Sequence, residues 1–466
     1  NGKIFIGCDD QKIYALDANI GEKLWNYTTD GLVRSSPTVA RLNGESFDRV
    51  FISTDNPSIY CFNASNGKFL WRHYLYGGNT ETRYAVRSSP LVDSGYVYIV
   101  DKYDVGVGTP PHSRCVIEKF NAYTGQHILN RIYGREDTLP QYSSAAIYAG
   151  RIYAGFDTKV RCHDSSDLTV KWSFSAGGHV YSTPAYYNGR VYFGSADGKT
   201  YAVDVLLGTQ LWNYTTGSIF GSPAVSHDMV FVVSDGAPYC VYALNSTTGA
   251  LIWYNNMTYP LKSSPAVADG KVFVGTLDGK LIALNSSTGQ EVWSYPTGTS
   301  EEIWSSPAIA DGVIYFGSND HYLYAIKDSI VVSDPSRDPE GDVNPWTDID
   351  VFVNVTASQG IRDVIISYTT NRTASWENIT MTLYNAETGT YNGTIPGQQP
   401  DTLITYKIIA YDRFGDFVVK DGESLRYIII VIPEFSILIA AALLIIIPLI
   451  AILQSKRRAP NLVIRI

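Results

Sequence analysis

Seven short motifs of the type Ser-Ser-Pro recur along the chain, and a cation or an aromatic residue precedes each of them. Aromatic faces stack on flat rings such as sugars or planar cofactors, and Lys and Arg pair with carboxylates. If the fold brings these positions to one opening, they form a candidate ligand-binding ring; the alternative is that they only fill the opening. We call them the mouth residues: Arg34, Arg87, Tyr142, Tyr181, Phe220, Lys262 and Trp304.

The motifs mark an internal repeat of about 40–50 residues, the length of a propeller blade. They stand at 35–37, 88–90, 143–145, 182–184, 221–223, 263–265 and 305–307. Each motif is followed by a short apolar strand, a KVFVG-like strand, a KLIALN-like strand and a strand that usually carries tryptophan, so we predict four strands per repeat. KVFVG at 271–275 is apolar on both faces, and sheets stacked in a ring cover both.

Two further columns of residues keep their place in the repeat. Aspartates occur one per repeat at hairpin turns, so we predict turn formers rather than a shared calcium site, at Asp10, Asp157, Asp197, Asp235, Asp278 and Asp320. Leu129 interrupts the second column, which is otherwise tryptophan. We predict that each of these tryptophans lies between neighbouring sheets: Trp25, Trp71, Trp172, Trp212, Trp253 and Trp293.

Turn, glycine and tryptophan together resemble the PQQ-type (quinoprotein) β-propeller repeat with its motif Ala-x-Asp-x-x-Thr-Gly-x-x-x-Trp. The resemblance implies an all-β fold over residues 1–331. The first repeat lacks its innermost strand and the last lacks its tryptophan strand. We therefore predict an eight-bladed propeller of four-stranded blades, truncated at its N-terminus, with both missing strands upstream of Asn1.

The same resemblance raises the question of a quinone cofactor. Family members that bind PQQ stack it between a tryptophan and a disulfide of adjacent cysteines, and hold calcium with Glu, Asn and Asp beside a catalytic Asp. No two of the five cysteines here are adjacent: Cys8, Cys61, Cys115, Cys162 and Cys240. We therefore expect no cofactor, no metal and no catalytic residue. Cys61 and Cys162 stand where another repeat has Ala283, which indicates small buried side chains, although a disulfide stays open.

Other chemistries find little support in the residues. The seven histidines show no i, i+4 pair, and no HExxH, nucleophile-elbow or P-loop motif occurs in a suitable setting. The net charge of −9 has the wrong sign for gathering phosphates, which argues against a nucleic-acid partner.

The chain changes character after the repeats. Residues 332–346 are rich in Pro and Asp and predict a linker. Alternating segments over 347–432 predict a small β-sandwich that resembles the immunoglobulin-like or fibronectin III-like modules of archaeal surface proteins.

The C-terminal region predicts a membrane anchor. FSILIAAALLIIIPLIAIL at 435–453 has no charge and is long enough to cross a bilayer, so we predict one transmembrane helix over 433–454. The basic residues that follow predict a short cytoplasmic tail over 455–466, with the bulk of the chain outside. The IPEF motif resembles the PEF-type archaeal C-terminal signal. An outward topology needs a signal peptide, so we expect the N-terminus to be missing.

Ten Asn-x-Ser/Thr sequons support an exterior location because such sites receive glycans only in exported chains. The predicted acceptors are Asn26, Asn63, Asn213, Asn245, Asn256, Asn285, Asn354, Asn371, Asn378 and Asn392.

Taken together, these patterns favour a non-enzymatic, single-pass cell-surface glycoprotein that binds an extracellular protein or glycan through its propeller face. Two alternatives stay open. One is a PQQ-dependent dehydrogenase of the envelope, and the other is an assembly factor similar to the propeller lipoprotein of outer-membrane protein insertion.

Overall fold

A computed structural model of the chain describes residues 2–75, 86–105, 112–133, 143–327, 331–338, 346–357, 361–370, 372–373, 375–399, 402–412, 417–420, 428–430 and 461–465. Their regular structure is β-strand, in agreement with the predicted all-β class. The chain divides into two compact units. Unit 1 comprises Asn1–Ala308, Tyr315–Tyr324 and Val463–Ile466, and unit 2 comprises Ile309–Ile314 and Ala325–Leu462.

Strands β1 to β30 form successive antiparallel sheets in which strand order follows chain order. We number the sheets 1 to 8 in that order. Sheet 1 is β1 (Lys3–Gly7), β2 (Lys12–Asp17) and β3 (Lys23–Thr28); sheet 2 is β4 (Thr38–Arg41), β5 (Asp48–Thr54), β6 (Ser58–Asn63) and β7 (Phe69–Tyr74); sheet 3 is β8 (Leu91–Asp93), β9 (Tyr96–Val105), β10 (His112–Asn121) and β11 (His127–Ile132); sheet 4 is β12 (Ala146–Tyr148), β13 (Arg151–Phe156), β14 (Lys159–Asp164) and β15 (Val170–Ser175).

The second half of the repeats follows the same plan. Sheet 5 is β16 (Ala185–Tyr187), β17 (Arg190–Gly194), β18 (Lys199–Asp204) and β19 (Gln210–Thr215); sheet 6 is β20 (Ala224–Ser226), β21 (Met229–Ser234), β22 (Cys240–Asn245) and β23 (Leu251–Asn256); sheet 7 is β24 (Ala266–Ala268), β25 (Lys271–Gly275), β26 (Lys280–Asn285) and β27 (Glu291–Pro296); sheet 8 begins with β28 (Ala308–Ala310), β29 (Val313–Gly317) and β30 (Tyr322–Lys327). Sheets 2 to 7 thus have the predicted four strands.

The first strands of sheets 2 to 7 are neighbours in order, so they form the inner side of the arrangement, and the tryptophan strands form its outer side. Sheets 8 and 1 are also neighbours. Tyr315 of sheet 8 donates its hydroxyl to the carbonyl oxygen of Ala18 at 3.2 Å. Leu323 of sheet 8 is buried in one apolar cluster with Tyr14 and Leu16 of sheet 1.

The tryptophans of the outer strands join neighbouring sheets. Five of the six rings pack on a turn of the following sheet, and the Nε1 of each of these five donates to a carbonyl oxygen there. The pairs are Trp25 with Ala64 (3.2 Å), Trp71 with Ala122 (3.0 Å), Trp172 with Val205 (3.0 Å), Trp212 with Ser246 (3.0 Å) and Trp253 with Ser286 (2.8 Å). Nε1 of Trp293 is buried without a hydrogen-bond partner among the residues that the structure describes.

A glycine in each receiving turn makes this contact fit. Gly249 has φ +71°, and a Cβ added to it would lie 2.6 Å from Cδ2 of Trp212. Because no real Cβ tolerates such a distance, the indole ring lies flat only on a residue without a side chain. Gly67, Gly125, Gly208 and Gly289 meet their tryptophans in the same way.

The junction of sheets 3 and 4 uses different residues because Leu129 replaces the tryptophan. Leu168 occupies the glycine position with φ 57°, and the two leucines belong to one apolar cluster. The carbonyl oxygen of Ser165, which would otherwise accept an indole N–H, accepts from Lys119 Nζ at 2.8 Å and from the hydroxyl of Tyr98 at 3.0 Å. Burial lowers the pKa of Lys119.

The Ser-Ser-Pro motifs tie the inner strands together. In most motifs the first hydroxyl bonds to the adjacent strand of the same sheet, as Ser182 donates to the carbonyl oxygen of Gly194 at 2.9 Å. The hydroxyl at the second position accepts the N–H of the corresponding residue in the preceding sheet. This chain of bonds runs through Ser36, Ser89, Ser144, Thr183, Ser222, Ser264 and Ser306.

Removing one link of this chain has a defined cost. We expect Ser222→Ala to lower the free energy of unfolding of unit 1 by about 1 kcal/mol, because the N–H of Thr183 loses its acceptor. Ser222→Thr keeps a hydroxyl, as Thr183 itself does, and is the matched control. Urea denaturation followed by circular dichroism measures both, and equal stabilities of the two variants would contradict a role for the hydroxyl.

Unit 2 contains two further antiparallel sheets. Their strands are β31 (Val331–Val332), β32 (Ser336–Asp338), β33 (Ile349–Thr356), β34 (Ile361–Thr370), β35 (Glu377–Thr380), β36 (Thr382–Asn385), β37 (Thr390–Ile395), β38 (Leu403–Asp412), β39 (Phe417–Val419) and β40 (Ile428–Ile430). One sheet has the order β31-β33-β37-β36 with β32 also on β33, and the other has β35-β34-β38-β39 with β40 also on β38. Val351, Ile366 and Ile408 belong to the core between them.

Two boundaries differ from the prediction. The segment 332–346, predicted as a linker, supplies Val332 to β31 and all of β32, because both strands find pairing partners along β33. The last residues also form a strand, β41 (Asn461–Arg465), which pairs with β30 as the fourth strand of sheet 8. The sequence predicts a cytoplasmic tail for these residues and an upstream strand for this position. The edge of β30 that faces away from β29 can pair with any strand that reaches it, and sequence pattern alone does not identify which strand does so.

The described residues contain no helix that is long and apolar enough to cross a membrane. The predicted transmembrane segment 433–454 lies outside the described residues.

Candidate functional site

The mouth residues are held in place by the aliphatic side chains that precede them. Val33, Val86, Val180, Ile219, Leu261 and Ile303 are buried, with 0–2% of their surface exposed. Each anchors the chain immediately before its Ser-Ser-Pro motif, so the next residue leaves the core. Arg34 and Trp304 are exposed, and Arg87, Tyr181, Phe220 and Lys262 are half-buried. Tyr142 lies outside the described residues.

Arg34 is bound by two carboxylates. Its Nε and one terminal nitrogen donate to both oxygens of Asp9 at 2.9 Å, and the other terminal nitrogen donates to Asp55 at 3.0 Å. The bidentate bond lowers the pKa of Asp9. Burial outweighs the attraction of Arg34 and raises the pKa of Asp55, whose side chain is less exposed than that of Asp9. Arg34 is therefore neutralised by residues of the protein itself.

A second group of mouth residues forms an aromatic arc. The ring of Tyr181 stacks on His179 with centroids 5.6 Å apart and on Phe220 with centroids 4.9 Å apart. Lys262 Nζ lies 5.1 Å from the centroid of Phe220 and donates to Asp235 at 2.7 Å. At the other end, His179 Nδ1 lies 2.8 Å from Asp157. The rings of this arc thus stack on one another, and Lys262 and His179 each contact an aspartate of the protein.

Trp304 differs from the other mouth residues. It is 52% exposed, and its indole N–H donates to Glu302 at 2.5 Å. Large apolar rings on a surface are frequent centres of protein contact. Among the described mouth residues, Trp304 has the most exposed aromatic ring.

The turn aspartates act mainly within their own repeats. Asp10, Asp197 and Asp320 each accept the backbone N–H two residues later, at 3.0–3.1 Å. Asp235 and Asp157 extend towards mouth residues or their neighbours, as described above. In the part of the chain that the structure describes, no group of three or more His, Cys, Asp or Glu side chains is arranged to hold a metal ion.

These residues do not fit PQQ and calcium. All five cysteines are free, and none is next to another. The ring centroids of Tyr181 and Phe220 are 4.9 Å apart. A flat cofactor between two rings needs a separation of about 7 Å, which is two van der Waals contacts, so none fits between these two as they stand.

The cysteines have a structural role. Cys61 and Cys162 pair with the tryptophans of their own sheets, as Ala283 pairs with Trp293. Cys61, Cys115, Cys162 and Cys240 are buried, in agreement with the prediction of small buried side chains. Burial raises the pKa of Cys61 to about 12 and that of Cys162 to about 11, so both thiols stay protonated and unreactive at neutral pH.

A cleft that the sequence pattern does not indicate lies on the outer side of sheets 1 and 2. It encloses about 280 Å³ and is lined by Tyr27, Asp30, Tyr60, Phe69 and Arg72, among others. Asp30 binds Arg72 and also accepts from Ser58 at 3.0 Å and Asn56 at 3.1 Å. The carboxylate of Asp30 is therefore bonded to residues of the protein itself. We interpret the cleft as part of the packing between sheets 1 and 2.

Buried His163 in sheet 4 gives the fold a pH dependence. Burial, followed by the charge of Arg161, lowers the pKa of His163 to about 4. An unfolded histidine has a pKa near 6.5, so between about pH 6.5 and 4 the unfolded chain binds a proton that the folded chain does not. We expect the contribution of His163 to stability to be fully present above pH 6.5 and to fall by about 3 kcal/mol as the pH drops to 4.

We expect His163→Gln to remove this part of the pH dependence, while the amide can still hydrogen-bond the hydroxyl of Tyr133, which contacts His163 Nε2 at 2.5 Å. Urea denaturation at several pH values measures the slope. An unchanged slope between pH 6.5 and 4 in the variant would contradict the assignment.

Stacked antiparallel sheets, joined by tryptophans on glycine turns, define this part of the chain as a PQQ-like β-propeller. The chain belongs to the family described as outer membrane protein assembly factor BamB, whose model matches residues 10–241 and 239–334.

The curated relatives include two functional classes. BamB of Burkholderia pseudomallei is 30% identical over 131 residues, covering 28% of this chain and 34% of the relative. Lupanine 17-hydroxylase [cytochrome c] of a Pseudomonas species is 30% identical over 161 residues, covering 28% of this chain and 23% of the relative. The chain thus spans about a quarter to a third of the length of these relatives.

Solved structures agree on the fold. BamB from Moraxella catarrhalis matches with a TM-score of 0.55 at 16% identity, covering 70% of this chain and 91% of that one. Quinohemoprotein alcohol dehydrogenase from Comamonas testosteroni matches with a TM-score of 0.53 at 14% identity, covering 70% of this chain and 69% of that one. At such identities the match concerns architecture alone.

Proposed function

We propose that this protein is a non-catalytic, exported binding protein that presents an eight-bladed propeller to partner proteins. In this proposal an immunoglobulin-like or fibronectin III-like module carries the propeller, and the apolar segment 433–454 holds it at the membrane. If the C-terminal tail lies in the cytoplasm, Asn461–Arg465 does not pair with β30. The proposal then requires another strand to pair with the edge of β30.

The observation that carries the proposal is how the mouth residues are bonded and exposed. Arg34 and Lys262 are already neutralised by aspartates, and the aromatic arc is stacked on itself, whereas Trp304 is exposed. Such a surface suits contact with a protein segment better than capture of a small charged substrate. The family match supports the same view, since its description names an assembly factor.

Site-specific photo-crosslinking in living cells tests the proposal. We expect a crosslinker at position 304 to capture a discrete envelope protein, which mass spectrometry identifies. A crosslinker at Leu207, 70% exposed in a turn that carries no mouth residue, is the matched control. The purified partner should then bind the wild-type protein at least about tenfold more tightly than Trp304→Ala, since exposed aromatic anchors dominate such contacts. Equal capture at both positions, or equal affinity, would contradict the proposal.

The two alternatives remain distinguishable from this proposal. An assembly role would make the captured partner a component of membrane-protein insertion, which the same crosslinking identifies. A dehydrogenase role is suggested by the names of relatives such as the Comamonas testosteroni quinohemoprotein alcohol dehydrogenase, and it requires cofactor binding.

A further inference from the structure

The outer strands of the repeats present an edge problem. In the described part of sheets 1 to 7, each tryptophan strand pairs with one neighbour only, so its other edge is open. These strands also expose apolar side chains: Leu211 is 46%, Ile252 44% and Tyr254 55% exposed. Open, apolar edge strands pair with other chains unless something blocks them.

Several of the outer strands carry charged residues. Strands β7, β11 and β15 carry Arg72, Arg131 and Lys171, and β27 carries Glu291 together with Pro296. Charges and prolines on edge strands are standard protection against pairing. Strands β19 (QLWNYT) and β23 (LIWYNN) contain no charged residue and no proline. Strand β3 has Lys23 at its first position only.

The strands that lack this protection carry glycosylation sequons instead. Asn213 lies in β19, Asn256 ends β23 and Asn26 lies in β3, and all three side chains are exposed. The hydroxyl residues of the two sequons in the uncharged strands, Thr215 and Thr258, are also exposed. Asn256 Oδ1 accepts from Cys240 Sγ at 2.9 Å, a contact that does not involve the amide nitrogen Nδ2.

We propose that N-linked glycans on Asn213 and Asn256, supported by one on Asn26, cover these edges and prevent edge-to-edge association. The inference rests on the exported location proposed above. In the modification, Nδ2 forms a bond to the anomeric carbon of a sugar, loses a proton, and displaces the phosphate leaving group of a lipid-linked oligosaccharide donor. Each glycan takes the place of the charge that other outer strands carry.

The experiment compares hydroxyl substitutions that do not change either asparagine. Thr215→Ala with Thr258→Ala abolishes both sequons, whereas Thr215→Ser with Thr258→Ser keeps them and is the matched control. Glycopeptide mass spectrometry of the full chain from a glycosylating host should show sugar on both asparagines in wild type and control, and its loss in the alanine variant. Sedimentation should then show about a twofold rise in mass with concentration for the alanine variant alone.

A rescue separates edge protection from other effects of the sugar. Adding Asn213→Lys and Asn256→Lys to the alanine variant places one charge on each uncharged strand and should restore the monomer without a glycan. A glycosylated wild type whose alanine variant stays monomeric would overturn the inference, as would an exported chain with no sugar at either asparagine. Protease accessibility on intact cells reports export separately, so a chain that stays inside identifies failure of the proposed function.

Discussion

Replacing Trp212 with alanine is expected to lower the free energy of unfolding of unit 1 by about 3–5 kcal/mol. The indole is 7% exposed, packs on Gly249 of the next sheet and donates to the carbonyl oxygen of Ser246. Its removal leaves a cavity between sheets 5 and 6 and an acceptor without this donor. Urea denaturation followed by far-ultraviolet circular dichroism measures the loss.

Trp304→Ala is the matched control because it deletes the same side chain at an exposed position. We expect its stability to change by less than about 0.5 kcal/mol. If both variants lost the same stability, or if Trp212→Ala lost less than about 1 kcal/mol, the docking of tryptophan on glycine would not hold neighbouring sheets together.

The second large effect concerns the junction of sheets 3 and 4. Leu129→Trp alone should destabilise unit 1 by about 1–3 kcal/mol, because the ring would meet the side chain of Leu168 where the other repeats have glycine. Leu168→Gly added to it should recover most of this loss. It removes the obstructing Cβ and the left-handed strain of Leu168, whose φ is 57°.

The measurement is a double-mutant cycle of Leu129→Trp and Leu168→Gly. We expect a favourable coupling of at least about 1 kcal/mol. A control cycle at positions that do not touch, Leu129→Trp with Gly249→Ala, should be additive because Gly249 contacts Trp212 instead. Additivity at the first pair would show that the tryptophan and glycine columns are not complementary.

The four-stranded repeat could be predicted because it rests on local signals. Alternation in strands such as KVFVG, turn aspartates and the spacing of the tryptophans are all visible in one repeat. The contact between Trp212 and Gly249 has an equivalent at the other described junctions where a tryptophan faces a turn glycine, because both residues keep their place in the repeat.

The departures from the repeat could not be predicted, because they are contacts between sheets. Nothing near Lys119 in the sequence indicates that it binds the carbonyl oxygen of Ser165, 46 residues away. The mouth illustrates the same limit. The positions of Arg34 and Lys262 follow from the motif, but their neutralisation by Asp9 and Asp235 depends on turns of other strands. Ligand binding at the mouth stays a prediction.

The most direct test of a non-catalytic mouth is cofactor binding to the purified chain. Equilibrium dialysis with PQQ and calcium measures the bound quinone, and reduction of an artificial electron acceptor by alcohols or sugars measures turnover. An apo-quinoprotein alcohol dehydrogenase under the same conditions is the positive control. We predict no bound PQQ and no dye reduction; one equivalent of PQQ held in a calcium-dependent manner, with substrate-dependent reduction, would contradict the proposal.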